Sequence, residues 1–232
     1  MSIVTKLFPE IADVASGAAK KLFDAAPSKV ELPPAENSRL TQIVGTTSTY
    51  EKAYKLLDDL GVPGDRLDFG AGLGVGAQKV GAMTYEPFPP PNFKPDFQSP
   101  DEIPSDSFSA VTNFNVLNVV PRETRDEIVQ NIGRILKPEG TAIITTRGKD
   151  VLNAKGIPGN EPMSLIIGNG AKARYQKGFT QKELQEYIQE TLGSGFAVKP
   201  VKLGAAGVQI KKLPMEYEDI TASTLPQPLE GL

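Results

Sequence analysis

Leu67-Asp68-Phe69-Gly70-Ala71-Gly72-Leu73-Gly74 decides the reading of this chain, together with Glu86, eighteen positions after Asp68 in Thr84-Tyr85-Glu86-Pro87. The alternating glycines leave backbone without Cβ atoms, where a ligand can approach closely and a tight turn can take positive φ. Residues 66–69 read as the end of a buried strand and 75–82 as the following helix, so the run is a strand-to-helix turn. An acid at the tip of the next strand is placed to accept hydrogen bonds from both hydroxyls of a ribose. The pattern predicts a nucleotide-type cofactor held over the turn.

Outward from this turn, residues 49–60 read as a helix stopped at 61–64, and 82–85 as a second strand. Residues 87–100 hold six prolines and read as extended loop. A third strand is expected at 108–113. Ile128, Ile132, Ile135 and Leu136 recur on one face of a helix at 122–136. Lys137-Pro138-Glu139-Gly140 should end that helix, with a strand at 141–146. Thr180-Gln181-Lys182-Glu183 is a capping-box pattern ahead of Leu184, Tyr187, Ile188 and Leu192. Residues 195–200 and 207–213 read as a closing strand pair. Strands alternating with helices predict an α/β fold whose mainly parallel sheet is covered on both faces.

Near the N-terminus, Ile11, Val14, Ala18 and Leu22 recur at helical spacing, and 27–37 is a proline-containing connector. The expected organisation is an N-terminal helix and connector at 1–37, a folded domain at 38–213 and an acidic tail at 214–232. The helix and the tail are candidate surfaces for a protein partner.

With 232 residues the chain can bury the core of one α/β domain. It contains no Cys and no His, which removes disulfides, thiolate nucleophiles and the commonest metal ligand and general base; no metal is expected. A net charge of −3 gives no global case for nucleic-acid binding. No stretch approaches the roughly 18 apolar residues of a membrane span. With no signal-peptide pattern, the expected location is cytoplasmic, or the virion if the gene is phage-borne.

From Ser48 to Leu213 the chain resembles class I S-adenosylmethionine-dependent methyltransferases. Four ordered pieces carry the likeness: Asp68 to Gly74, Tyr85-Glu86-Pro87, Ile103-Pro104 to Phe108 running into Ala110 to Val120, and Leu136 to Gly140. The resemblance implies a Rossmann-like three-layer sandwich whose sheet has seven strands and ends in an antiparallel hairpin. It implies S-adenosylmethionine as cofactor, with Gly70, Ala71, Gly72 and Gly74 beneath its methionine and ribose and Asp68 toward its amino-acid end. Glu86 and Pro87 would lie at the ribose and Asp101 and Glu102 at the adenine, while Asn115 and Phe114 would look onto the methyl group. The implied chemistry is direct displacement at an activated methyl, which needs alignment and water exclusion rather than a catalytic triad.

A narrower likeness is to methyltransferases of DNA-modification systems and of phage or mobile elements, on Asn113 to Val119 and Tyr85 to Phe88. The chain departs from the family at Ser109, where many members have Asp, and lacks the Asp/Asn-Pro-Pro-aromatic motif of amino-methylating DNA enzymes. Pro89-Pro90-Pro91-Asn92-Phe93 has the wrong order and place for that motif and reads as a structural loop. Residues 162–182 contain no acid, so Lys172, Arg174 and Tyr175, with Arg147 and Lys149, are candidates for contacting a nucleotide or nucleic-acid acceptor, Tyr175 by stacking. A solvated loop is the competing reading. Three functions compete: a methyltransferase, a protein of the same fold with a binding or structural role, and a nicotinamide-dependent enzyme. The last lacks its G-x-G-x-x-G spacing.

Overall fold

The computed structural model describes residues 31–41 and 48–214, so the expected N-terminal helix and nearly all of the acidic tail lie outside the described residues. Helix α1 (Ser48–Asp59) leads into strand β1 (Arg66–Phe69), helix α2 (Val75–Val80) and strand β2 (Met83–Tyr85). Strand β3 (Phe108–Phe114), helix α3 (Arg122–Ile135) and strand β4 (Leu136–Thr146) follow. Strands β5 (Ile157–Pro158), β6 (Ser164–Ile167) and β7 (Arg174–Lys177) precede helix α4 (Gln181–Leu192) and the hairpin of β8 (Phe196–Pro200) and β9 (Ala206–Lys212).

The main sheet runs β2-β1-β3-β4-β9-β8. Its first four strands are parallel, and β9 and β8 are antiparallel. Alternation along the strands divides the core. Leu67, Phe69, Val111, Ala142 and Ile144 join the cluster that contains Val129 and Ile132 of α3 and Leu184 and Ile188 of α4. Ala110 and Ile143 face the other way, onto Ala53, Tyr54 and Leu57 of α1. This is the expected three-layer sandwich.

Among the described residues the sheet has six strands rather than the seven expected. Beyond β2, pairing shrinks to a single parallel bridge between Tyr85 and Phe97. Prolines along 87–100 cannot donate to a ladder, which stops a seventh strand from forming. Asp96 substitutes for one: its Oδ2 accepts from the Thr84 backbone N–H and hydroxyl, both at 2.8 Å.

Two further differences concern β4 and the segment after it. Strand β4 begins at Leu136, opposite Phe108, and the ladder resumes with Thr141 opposite Ala110. Lys137 to Gly140 therefore bulge out of the strand rather than preceding it, with Glu139 at φ 62°. The acid-free segment is not a solvated loop: β5, β6 and β7 form a separate antiparallel sheet. Ala35–Thr41 is a 3-10 helix tied to that small sheet by Asn37 Nδ2 donating to the Ala173 carbonyl at 2.7 Å.

Candidate active site

The glycine turn sits at the carboxyl end of β1, where the parallel strands β1, β2 and β3 all end. Its shape comes from its neighbours. Gly70 and Ala71 both donate their N–H to the Tyr85 carbonyl, at 2.8 and 3.0 Å. Buried Asn113 donates to the Phe69 carbonyl at 2.7 Å, which pins the turn from the β3 side. Gly70, Gly72 and Gly74 have φ of 90°, 58° and 72°, so the alternation of glycines follows an alternation of left-handed backbone. Close packing adds to the requirement: a Cβ at Gly70 would strike Val116, one at Gly74 the ring of Phe93, and one at Gly76 the ring of Tyr50.

Above this floor lies a cavity of about 570 Å³. Gly70, Ala71, Gly72, Glu86 and Pro87 line it, as do Phe114 and Asn115. Ala35, Ser38 and Thr41 of the 3-10 helix also line it, with Thr49 and Tyr50 of α1. On the α3 side the wall is Val119, Val120, Thr124, Glu127, Ile128 and Asn131.

Glu86 is 5% exposed, and its carboxylate is held at the cavity. Oε2 accepts from the Gly72 N–H at 2.7 Å and Oε1 from the Phe88 N–H at 3.1 Å. Burial raises its pKa, and these two backbone donors oppose the rise. A carboxylate offers about four lone-pair sites, so two hydrogen bonds leave capacity for a diol.

Asp68 and Gly74 do not line the cavity. Asp68 is fully buried under α1, where Tyr50 Oη donates to Oδ2 at 2.8 Å and Thr112 Oγ1 to Oδ1 at 2.9 Å. Burial pushes its pKa up to about 7; the Tyr50 and Thr112 hydrogen bonds lower it, and the charge of Glu86 raises it. Burial and the Asp68 carboxylate raise the Tyr50 phenol, which therefore stays a donor. Tyr50 also sets its ring edge against Phe114, centroids 4.8 Å apart. Asp68 thus meets the cavity through Tyr50, a residue that sequence reasoning placed only on a helix; the fourth glycine, Gly76, whose Cβ that ring excludes, was the available signal.

Asn115 is exposed at φ 58°, with its N–H donated to the Thr145 carbonyl at 2.8 Å. A left-handed non-glycine residue at a cavity wall is strained backbone of the kind found at working sites. Asp101 and Glu102 are exposed on a 3-10 turn beside Pro100 and do not line the cavity, although Pro100 does. The Glu102 carboxylate caps that turn, accepting from the N–H groups of Gln98 and Ser99 at 2.8 and 3.3 Å.

The basic candidates are not brought together at the cavity. Arg147 is engaged by Asp150 at 2.6 and 2.8 Å and by Gln176 at 2.9 Å. Lys149 and Lys172 are exposed, and Arg174 is half-buried. Tyr175 offers no face for stacking, because it is 2% exposed and donates its hydroxyl to Glu161. Its partner Glu161 receives the Arg125 guanidinium at 2.5 and 2.6 Å, and Arg125 is itself 1% exposed over the rings of Phe179 and Tyr187. Burial opposes ionisation of Glu161, but Arg125 holds its carboxyl below the usual range.

Solved structures give this architecture a context. The chain is similar to the sugar N-methyltransferase KedS8 of a Streptoalloteichus species, with 12% identity, TM-score 0.54, and 80% of this chain and 95% of that one covered. An S-adenosylmethionine-dependent methyltransferase of Clostridium acetobutylicum matches at 10% identity and TM-score 0.52, over 76% and 96% of the two chains. The 1,6-didemethyltoxoflavin-N1-methyltransferase of Burkholderia thailandensis, solved with S-adenosylhomocysteine, matches at 16% and 0.50, over 87% and 90%. The fold is that of class I methyltransferases. No protein-family model matches the sequence, and no curated protein does. None of these three neighbours is described as acting on DNA.

Proposed function

We propose that the chain is an S-adenosylmethionine-dependent methyltransferase, with the cofactor lying over the turn from Gly70 to Gly74. The observation that carries the reading is the Glu86 carboxylate, buried at the cavity, anchored to Gly72 and Phe88 and retaining acceptor sites for a ribose diol. The volume, about 570 Å³, lies within the range usual for small-molecule sites, roughly 300 to 1,000 Å³.

When bound, S-adenosylmethionine supplies a methyl group already activated by a sulfonium. The residues have the remaining tasks of orientation and exclusion of water. Ala71, Gly72 and Pro87 would bound the cofactor on the floor side. Phe114 and Asn115, at the end of β3, would face the acceptor. Asp68 would act as a positioning residue, fixing Tyr50 and through it the ring of Phe114.

Calorimetric titration tests the proposal. S-adenosylhomocysteine is expected to bind, and Glu86→Ala to weaken it by at least about tenfold, since a charge-assisted pair is lost. Gly72→Val should abolish binding, because the new side chain must occupy left-handed backbone at the cavity floor. Binding of NAD in its place would sink the reading, and cofactor binding with no methyl transfer to any offered metabolite, protein or nucleic acid would favour a non-catalytic role for the fold.

A further inference from the structure

We infer that Glu127 of helix α3 recognises the exocyclic amine of the cofactor's adenine, a base that the sequence resemblance placed at Asp101 and Glu102. This rests on the cofactor reading above.

Three observations lead there. First, Asp101 does not reach the cavity and Glu102 is committed to its cap, so the turn at 100–102 presents only Pro100. Second, beside the polar Thr124, Glu127 and Asn131 the cavity lining includes apolar groups, Pro87, Phe88, Pro100, Val116, Val119 and Ile128, that suit the faces of a flat heterocycle. Its width is fixed in advance, because Arg134 of α3 donates to the Pro100 carbonyl at 2.8 Å and to the Ile103 carbonyl at 2.7 Å. Third, among the described residues the only charged side chains lining the cavity are Glu86 and Glu127, and the Glu127 carboxylate has no hydrogen-bond or salt-bridge partner among them.

The other polar groups on that wall discriminate less. Asn131 is engaged on both sides of its amide, receiving Arg134 Nε at 3.2 Å and donating to the Glu127 carbonyl at 3.0 Å. Thr124 carries a hydroxyl, which donates as readily as it accepts. A carboxylate accepts only. It therefore favours a base bearing an amine and opposes one bearing a carbonyl at the same position, where two acceptors would meet.

The test compares S-adenosylhomocysteine with S-inosylhomocysteine, in which that amine is replaced by a carbonyl, by calorimetric titration of the full chain. The native protein is expected to prefer the adenosyl compound by about tenfold, a modest ratio because Glu127 is solvent-exposed. Glu127→Gln should bring the two affinities to within about threefold, since a carboxamide can turn to serve either base. Asp101→Asn should leave the native ratio unchanged. Equal binding of the two compounds by the native protein, a ratio that survives Glu127→Gln, or one that collapses in Asp101→Asn would each overturn the assignment to Glu127. Absence of S-adenosylhomocysteine binding to the native protein would instead overturn the cofactor reading and this inference with it.

Discussion

Asp68 looks like a cofactor ligand in sequence, whereas in the structure its carboxyl contacts Tyr50 and Thr112 and does not line the cavity. Its carboxyl is fully buried between Tyr50 and Thr112, and its pKa, near 7, lies well above the ordinary value of about 4. A carboxyl with a raised folded-state pKa holds its proton more tightly when folded. The stability so gained is complete below about pH 4 and is lost as pH rises through about 7. The melting temperature of the native protein is therefore expected to fall between about pH 4 and pH 7 more steeply than that of Asp68→Asn. Parallel slopes would show that the proton is not held there.

The same residue marks the limit of what the sequence could reveal. Residues 66–69 read as a strand leading into the glycine turn, and β1 spans them; the side of the sheet that carries Tyr50 is a property of packing that no spacing contains. Glu127 is a parallel case. On a helix whose apolar stripe is Ile128, Ile132 and Ile135, an acid one position before Ile128 reads as solvated, and only the wall of the cavity gives it an address.

Among the elements, the small sheet of β5, β6 and β7 was the least legible. Its strands are two to four residues long, and several buried positions are polar or charged: Ser164, Gln176 and Lys177. Burial here depends on partners from distant segments. Arg125 of α3 meets Glu161, which also accepts from Tyr175, while Lys177 meets Glu183 of α4 at 2.6 Å. Arg125→Ala leaves the carboxylate without its cation, and breaking such a pair from one side costs about 3 to 5 kcal/mol. Urea unfolding should show a loss of that order, and adding Glu161→Gln to the variant should recover part of it. A loss below about 1 kcal/mol would mean that water replaces the guanidinium at little cost. The parallel strands were easier to read, because continuous apolar runs such as Ala142-Ile143-Ile144 need no partner from elsewhere to explain them.

At the scale of the whole fold, the expected sandwich and terminal hairpin are present, but among the described residues the sheet stops one strand early. That leaves β2 as an edge, and unpaired edges invite association with other chains. Asp96 blunts this edge by occupying the Thr84 N–H. Asp96→Ala is expected to cost about 1 to 2 kcal/mol and to produce concentration-dependent self-association visible by sedimentation. A variant that stays monomeric at every concentration would assign protection of the edge to the proline-rich loop alone.

The paired N–H groups of Gly70 and Ala71 on the Tyr85 carbonyl carry a consequence for ancestry and engineering. The turn borrows its shape from an adjacent strand, so the two cannot be exchanged separately between relatives. A recombinant that took residues 66–76 from one parent and 83–86 from another would inherit a correct motif on a foreign support, whereas a crossover placed after Glu86 would transfer both together.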